Sequence, residues 1–350
     1  VSHADTGRMP PIVPHVVRLG PWSVRLWPRG VVFAAVTVVC VLGVGAASLA
    51  IGGLDMSATE LWAALTGEGD ASAVRSIRGR RLPRLLTAIG VGGSLGVSGA
   101  VFQSLSRNVL GSPDVIGFTT GAAAAAAVQI VVFDGGVLAT ALAAVVGGVL
   151  TALLVYGLAR RDGVTGGLRL ILVGIGTAAV LGALIDFLMV RASITDAAVL
   201  QQWSAGSLTG RGWSHALIVL IVDILVVPVM VLVSRRVSLM EMGDDTAASL
   251  GIPVERFRFA AVVLAVLLAA VATAAAGPIA FVALAAPQIA RRTVRSPGVP
   301  VVTSFLTGAF LLATADLLAQ RVEIGLRTPV GMVTNLLGGA YLVWLLARRA

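Results

Sequence analysis

Lysine is absent from this chain of 350 residues; all 26 of its basic residues are arginine. A Walker-type loop uses a lysine to reach the terminal phosphates of ATP, so that nucleotide site is excluded in its usual form and any ATP hydrolysis must come from a partner. Schiff-base chemistry falls with it, for want of a lysine amine. Cysteine is nearly as scarce. The single Cys40 lies inside an apolar run, which excludes an intrachain disulfide and a cysteine-based metal site. The three histidines, His3, His15 and His215, define no metal-binding face, and no nucleophile has a base at a recognisable spacing. No catalytic or metal-ligating residues are therefore expected, and the chain does not read as an enzyme. Charged residues make up only 12% of the chain, too few for an ordinary soluble protein.

What is present is apolar length. Hydrophobic residues make up 57% of the chain, and the mean hydropathy is +0.96. Spans of about 20 apolar residues recur from Val31 to Ala347. Runs this continuous predict helices rather than the alternating strands of a barrel, because in lipid each backbone polar group needs a partner within its own element. Ten spans are expected, at about 31–50, 85–105, 115–133, 137–158, 169–190, 213–233, 259–276, 279–294, 301–319 and 331–347. The fold class is thus all-α and polytopic. Residues 1–29, with four Arg and five Pro, read as a leader lying against the membrane, and 30–350 as the transmembrane domain. With the N-terminus in the cytoplasm, 17 Arg fall on the inner side and nine on the outer, so both termini are expected inside. The net charge of +9 is spread between helices and follows from topology rather than nucleic-acid binding.

Several stretches resemble, in order and over nearly the whole chain, the FecCD-like permeases of iron-siderophore, haem and cobalamin ABC importers. They are Arg81-Leu82-Pro83-Arg84, Ser98-Gly99-Ala100-Val101-Phe102-Gln103, Arg107-Asn108-Val109-Leu110-Gly111-Ser112-Pro113, Trp203-Ser204-Ala205-Gly206-Ser207-Leu208, Gly277-Pro278-Ile279-Ala280-Phe281-Val282-Ala283-Leu284, Ala286-Pro287-Gln288-Ile289-Ala290-Arg291 and Pro329-Val330-Gly331. Departures stand at Val109, Ala283, Gln288 and Arg327, where the family usually has Pro, Gly, His and an acid. The resemblance implies a type II ABC importer permease fold in the cell membrane. It implies a dimer with a second permease subunit, two cytoplasmic ATPases that bind the ATP, and an external substrate-binding protein. The implied cargo is a ferric-siderophore-type ligand, with haem or cobalamin as alternatives.

Residues 235–258 form the longest polar segment on the inner side. Within it, Gly243-Asp244-Asp245-Thr246-Ala247-Ala248-Ser249-Leu250-Gly251 reads as a short helix capped by Asp244 or Asp245, with Ala247 and Leu250 on one face and Gly251 as its stop. The resemblance makes Gly243, Asp244, Ala247, Leu250 and Gly251 an ATPase-coupling element. It likewise implies that Arg81, Arg84 and Arg321 dock the binding protein. Asp186, Asp223 and Asp316 fall in apolar runs; structural pairing is expected for them, with Arg191 and Arg321 as candidate partners of Asp186 and Asp316. Gly92, Gly96 and Ala100 form a small-residue row suited to close helix packing, with Gly90, Ser94 and Ser98 on a neighbouring row. The rival readings are a transporter driven by an ion gradient, which would rely on such acids, and an intramembrane enzyme, for which no residue set is present.

Overall fold

The computed structural model describes residues 15–19, 22–50, 57–114, 117–161, 164–165, 167–295, 298–321 and 328–347. Arg327, one of the departures above, lies outside them. Part of the leader is an antiparallel ribbon of β1 (His15–Leu19) and β2 (Trp22–Leu26), where the sequence showed no pattern. Helices follow: α1 Pro28–Ala50, α2 Ala58–Thr66, α3 Ala71–Ser76, α4 Leu82–Ser106, α5 Phe118–Val131, α6 Val137–Ala159, α7 Gly167–Arg191, α8 Ile194–Ser204 and α9 Trp213–Met240. The remainder are α10 Asp244–Ser249, α11 Val254–Ala276, α12 Val282–Val294, α13 Val301–Arg321 and α14 Val330–Ala347, and a small ribbon pairs β3 (Arg160–Arg161) with β4 (Val164–Thr165) between α6 and α7.

Each expected span coincides with one of these helices to within three residues at either end, except that α9 continues to Met240 and α11 begins at Val254, so both helices run into the polar segment 235–258. Seven are long and apolar enough to cross a membrane by themselves. The other three, α5, α12 and α14, have 14, 13 and 18 residues. The number of full crossings is thus approximate, because a 13-residue helix rises only about 20 Å. Such a helix needs its flanking irregular backbone to lie within protein rather than lipid. The segment before α12 meets this condition by packing on the turn after α8: a Cβ on Gly206 would stand 2.3 Å from Pro278 O, and one on Gly277 2.7 Å from Trp203 O. Phe281 sits there at φ +69°, and its ring fills the space a side chain at Gly338 would need.

The ten helices alternate in direction. Gly30 at the start of α1 lies against Val294 at the end of α12, whereas Leu49 at the end of α1 meets Arg81 ahead of α4. By such contacts the start of α1, the end of α4, the end of α9, α10, the start of α11 and the end of α12 share one end of the bundle. Arg107, Arg258 and Arg291 gather there, while Arg81 and Arg84 stand at the opposite end.

α4 is the centre of the bundle, with twenty buried residues. Its glycines explain how closely neighbours approach. A Cβ on Gly92 would stand 2.3 Å from Gly308 O, one on Gly96 2.2 Å from Ser304 O, and one on Gly99 1.7 Å from Ala283 O. The expected small-residue row is therefore the seam of α4 with α12 and α13. Pro83 does not break the chain's path, because the preceding residues Ile77–Arg81 form a π-turn in which Leu82 N–H reaches Ile77 O. The proline lacks a donor at a place where the helix is already rewound.

Candidate functional site

α10 stands outside the membrane-length helices on an anchored base. A helix of six residues has no stability of its own, so what holds it is informative. The expectation that Asp244 caps it is corrected: Gly243 is the N-cap, at φ +117°, and makes no side-chain cap bond. Asp244 is the first helical residue, and its carboxylate turns back toward the bundle. Nη2 of Arg258 reaches both of its oxygens at 2.8 Å, and Nη2 of Arg107 reaches Oδ1 at 3.0 Å. Arg258 is 6% exposed along its side chain and also pairs with Glu255, to which Tyr156 Oη donates at 3.3 Å. A nearby pair, Arg291 with Glu241 at 2.7 Å, ties the end of α12 to the end of α9.

The proposed shared face of Ala247 and Leu250 also needs correction. Ala247 is fully buried in the core cluster with Met240, Ala261 and Val262, and seats the helix from below. Leu250 is 60% exposed and faces outward. Gly251, at φ +80°, stops the helix as expected, its N–H donating to Ala248 O at 2.9 Å and that of Ile252 to Ala247 O at 3.1 Å. The element presents Leu250 and a glycine turn, and hides the alanine. Arg107 and Arg258 are the residues that the sequence did not disclose; Arg258 lies 14 positions from Asp244 and Arg107 lies 137 from it. Burial pushes the carboxyl of Asp114, in the loop after Arg107, above its usual range, while a bond from Thr119 acts in the opposite direction.

At the opposite end the arginines divide. Arg84 forks onto Asp316, with Nη2 to Oδ1 at 2.8 Å and Nε to Oδ2 at 3.0 Å; Asp316 is 3% exposed and also accepts from Gln320 at 2.8 Å. Asp316 thus pairs with Arg84 rather than with Arg321. Arg81 donates to Leu49 O at 2.7 Å, closing the end of α1, and Arg78 donates to Leu65 O and Thr66 O at the end of α2. The guanidiniums of Arg81 and Arg84 therefore each hold a bond within the chain. Arg321 is exposed, as are Arg75 and Arg80. Arg191 lies over the Phe187 ring at 5.8 Å, and Asp186 is exposed. Asp223 is 5% exposed; Oδ1 accepts from Ser94 Oγ at 2.5 Å, and Oδ2 has no partner among the described residues.

Such a bundle, polytopic, closely packed through glycine and carrying one small helix on an ion-paired base, has the build of a membrane transport protein. Residues 38–348 match the model of the FecCD transport family. The chain belongs to that family. It is 45% identical to the ferric enterobactin transport system permease protein of Escherichia coli, over 89% of this chain and 94% of that one. It is 35% identical to the achromobactin transport system permease protein of Dickeya dadantii, over 95% and 96%. Among solved structures it resembles a metal-chelate type ABC transporter in an inward-facing conformation, with a TM-score of 0.81 at 25% identity over 90% of this chain and 98% of the other. The chain is accordingly an integral membrane protein of a transport family with an all-helical permease fold.

Proposed function

We propose that the chain is the membrane-spanning subunit of an ATP-driven importer of ferric siderophores. It forms the pathway as a dimer, with itself or with a related chain, and makes no bond-breaking contribution. ATP is bound by two cytoplasmic ATPase subunits, and an external binding protein delivers the cargo. Both termini and the 235–258 segment lie in the cytoplasm, residues 30–350 form the permease domain, and 1–29 lie ahead of it as a leader. The observation that carries this reading is α10, a short helix offered outward on a buried ionic base. A rigid knob of this kind can pass a push from a partner to α9 and α11, between which it is bonded, and so bias the bundle between two openings.

Gly243, Asp244, Ala247, Leu250 and Gly251 act as the coupling element with two roles. Leu250 and the Gly251 turn meet the ATPase, while Asp244 and Ala247 hold the helix in place. On the outer face, Arg81, Arg84 and Arg321, with the exposed Arg75 and Arg80, meet acidic groups on the binding protein. Arg81 and Arg84 shape that face by fixing the ends of α1 and α13. Exposed charges of this sort steer encounter more than they add affinity.

The likeness to the ferric enterobactin permease supports ferric enterobactin as the cargo to test first. The test is uptake of labelled ferric enterobactin into proteoliposomes holding this chain with its ATPase and supplied with binding protein. Accumulation that requires ATP supports the proposal. Accumulation driven by an ion gradient with no ATPase present refutes it and favours a secondary transporter.

A further inference from the structure

We propose that the cleft between the ends of α4, α9 and α12 binds a phosphate group that carries, or sits beside, a hydroxyl donor. The cleft has a volume of about 350 Å³ and is lined by Gln103, Arg107, Asn108, Val109, Glu241, Gln288, Arg291 and Arg292. Arg107, Arg291 and Arg292 face the cleft, and with Glu241 and Asp244 set against the first two the wall keeps the one positive charge of Arg292. Glu241 is engaged by Arg291 at 2.7 Å, and Arg107 by Asp244 at 3.0 Å. Arg292 is exposed and forms no ion pair among the described residues. The volume falls at the lower end of small-molecule sites.

Two buried atoms show what the cleft lacks. Gln288 is 4% exposed, and its Nε2 donates to Val109 O at 2.8 Å, which fixes which way its amide faces. Its Oε1 is then a buried acceptor with no partner among the described residues. One turn further along α12, Arg291 Nε is a buried donor with no partner among the described residues, its Nη2 being held by Glu241. Buried polar groups are nearly always bonded, and each exception asks for an explanation. An occupant that answers both must accept from a guanidinium and donate to an amide oxygen; a water does both, and an anion drawn by the positive charge must do the same to displace it. A carboxylate cannot donate. Sulfate cannot either at neutral pH, whereas inorganic phosphate keeps a P–O–H. A phosphodiester headgroup lacks that proton but meets the demand if a neighbouring hydroxyl supplies it, as in a phosphoglycerol. Two of the positions where this sequence departs from the family pattern, Val109 and Gln288, are the two joined by the bond that aims the amide.

The cleft lies at the end of the bundle that carries α10, and free phosphate and a lipid headgroup are the two sources the test separates. The test uses the full-length chain in detergent, titrated calorimetrically with inorganic phosphate and with sulfate, and native mass spectrometry after exchange into phosphatidylglycerol or phosphatidylcholine. Gln288→Leu and Arg292→Gln are compared with Arg295→Gln, which lies outside the cleft. One hydrogen bond to the amide corresponds to about tenfold tighter binding of phosphate than of sulfate. Gln288→Leu is expected to erase that preference, Arg292→Gln to weaken both anions, and Arg295→Gln to change neither. Saturable phosphate binding with this pattern identifies the free ion. Retention of phosphatidylglycerol over phosphatidylcholine that is lost in both cleft variants identifies the headgroup. Absence of both effects, equal affinity for phosphate and sulfate without lipid selectivity, or binding that survives both cleft substitutions overturns the proposal, the last three variants' thermal unfolding showing that each is folded.

Discussion

Removing the Asp244 carboxylate should release α10 while leaving the bundle intact. Arg258, at 6% side-chain exposure, would lose both contacts to Asp244 but keep Glu255. Taking one partner from a fully buried ion pair costs about 3–5 kcal/mol. Asp244 is 29% exposed and Glu255 remains, so a cost of about 2 kcal/mol is expected for Asp244→Ala. That shifts the population with α10 detached by about 30-fold. Arg107, at 45% exposure, contributes far less, and Arg107→Ala should shift it by only about twofold. The measurement is hydrogen exchange at the amides of Ala247, Leu250, Gly251 and Ile252, all bonded within the α10 turn. Exchange in Asp244→Ala that stays within twofold of the parent, or equal effects of Arg107→Ala and Arg258→Ala, would refute the idea that the buried ionic base holds the helix.

Three further outcomes follow from the packing. Gly99→Ala should prevent assembly of a stable protein, since the new Cβ meets Ala283 backbone at 1.7 Å, whereas Gly182→Ala has open space and should leave the unfolding temperature unchanged. Arg84→Gln should lower stability in detergent by about 3 kcal/mol by stranding Asp316 at 3% exposure, while Arg321→Gln should leave stability unchanged and slow association of the binding protein at low salt. Asp223→Asn should keep uptake, because its amide oxygen still accepts from Ser94, and Asp223→Val should lose protein yield; abolition of transport by the Asn variant in a well-folded protein would point instead to a proton relay.

The apolar segments were legible because a run of bilayer length admits few structures. Position along the chain was recovered to a few residues for every helix from α4 to α14 that the sequence marked as a span, apart from the end of α9 and the start of α11. Breaks were harder to read: the sequence placed the start of a span after Pro83, yet a π-turn carries the helix back to Ala71. Pairing was not legible at all. Asp316 had Arg321 five residues away as the local candidate, but the helix seam brings up Arg84 from 232 positions away, and only packing decides between them. The same limit applies to α10. Its glycine stop is a local conformational demand and shows in the sequence, whereas the burial of Ala247 depends on α9 and α11 lying beneath it.

The account depends most directly on α10 facing the cytosol and being gripped there. Leu250→Cys, made in a Cys40→Ala chain, places a thiol at an outward position that is 60% exposed in the parent. A membrane-impermeant maleimide should fail to label it in intact spheroplasts, should label it in inverted vesicles stripped of the ATPase, and should be blocked again once the ATPase is restored. Labelling of intact spheroplasts, or no protection by the ATPase in inverted vesicles, would contradict the account.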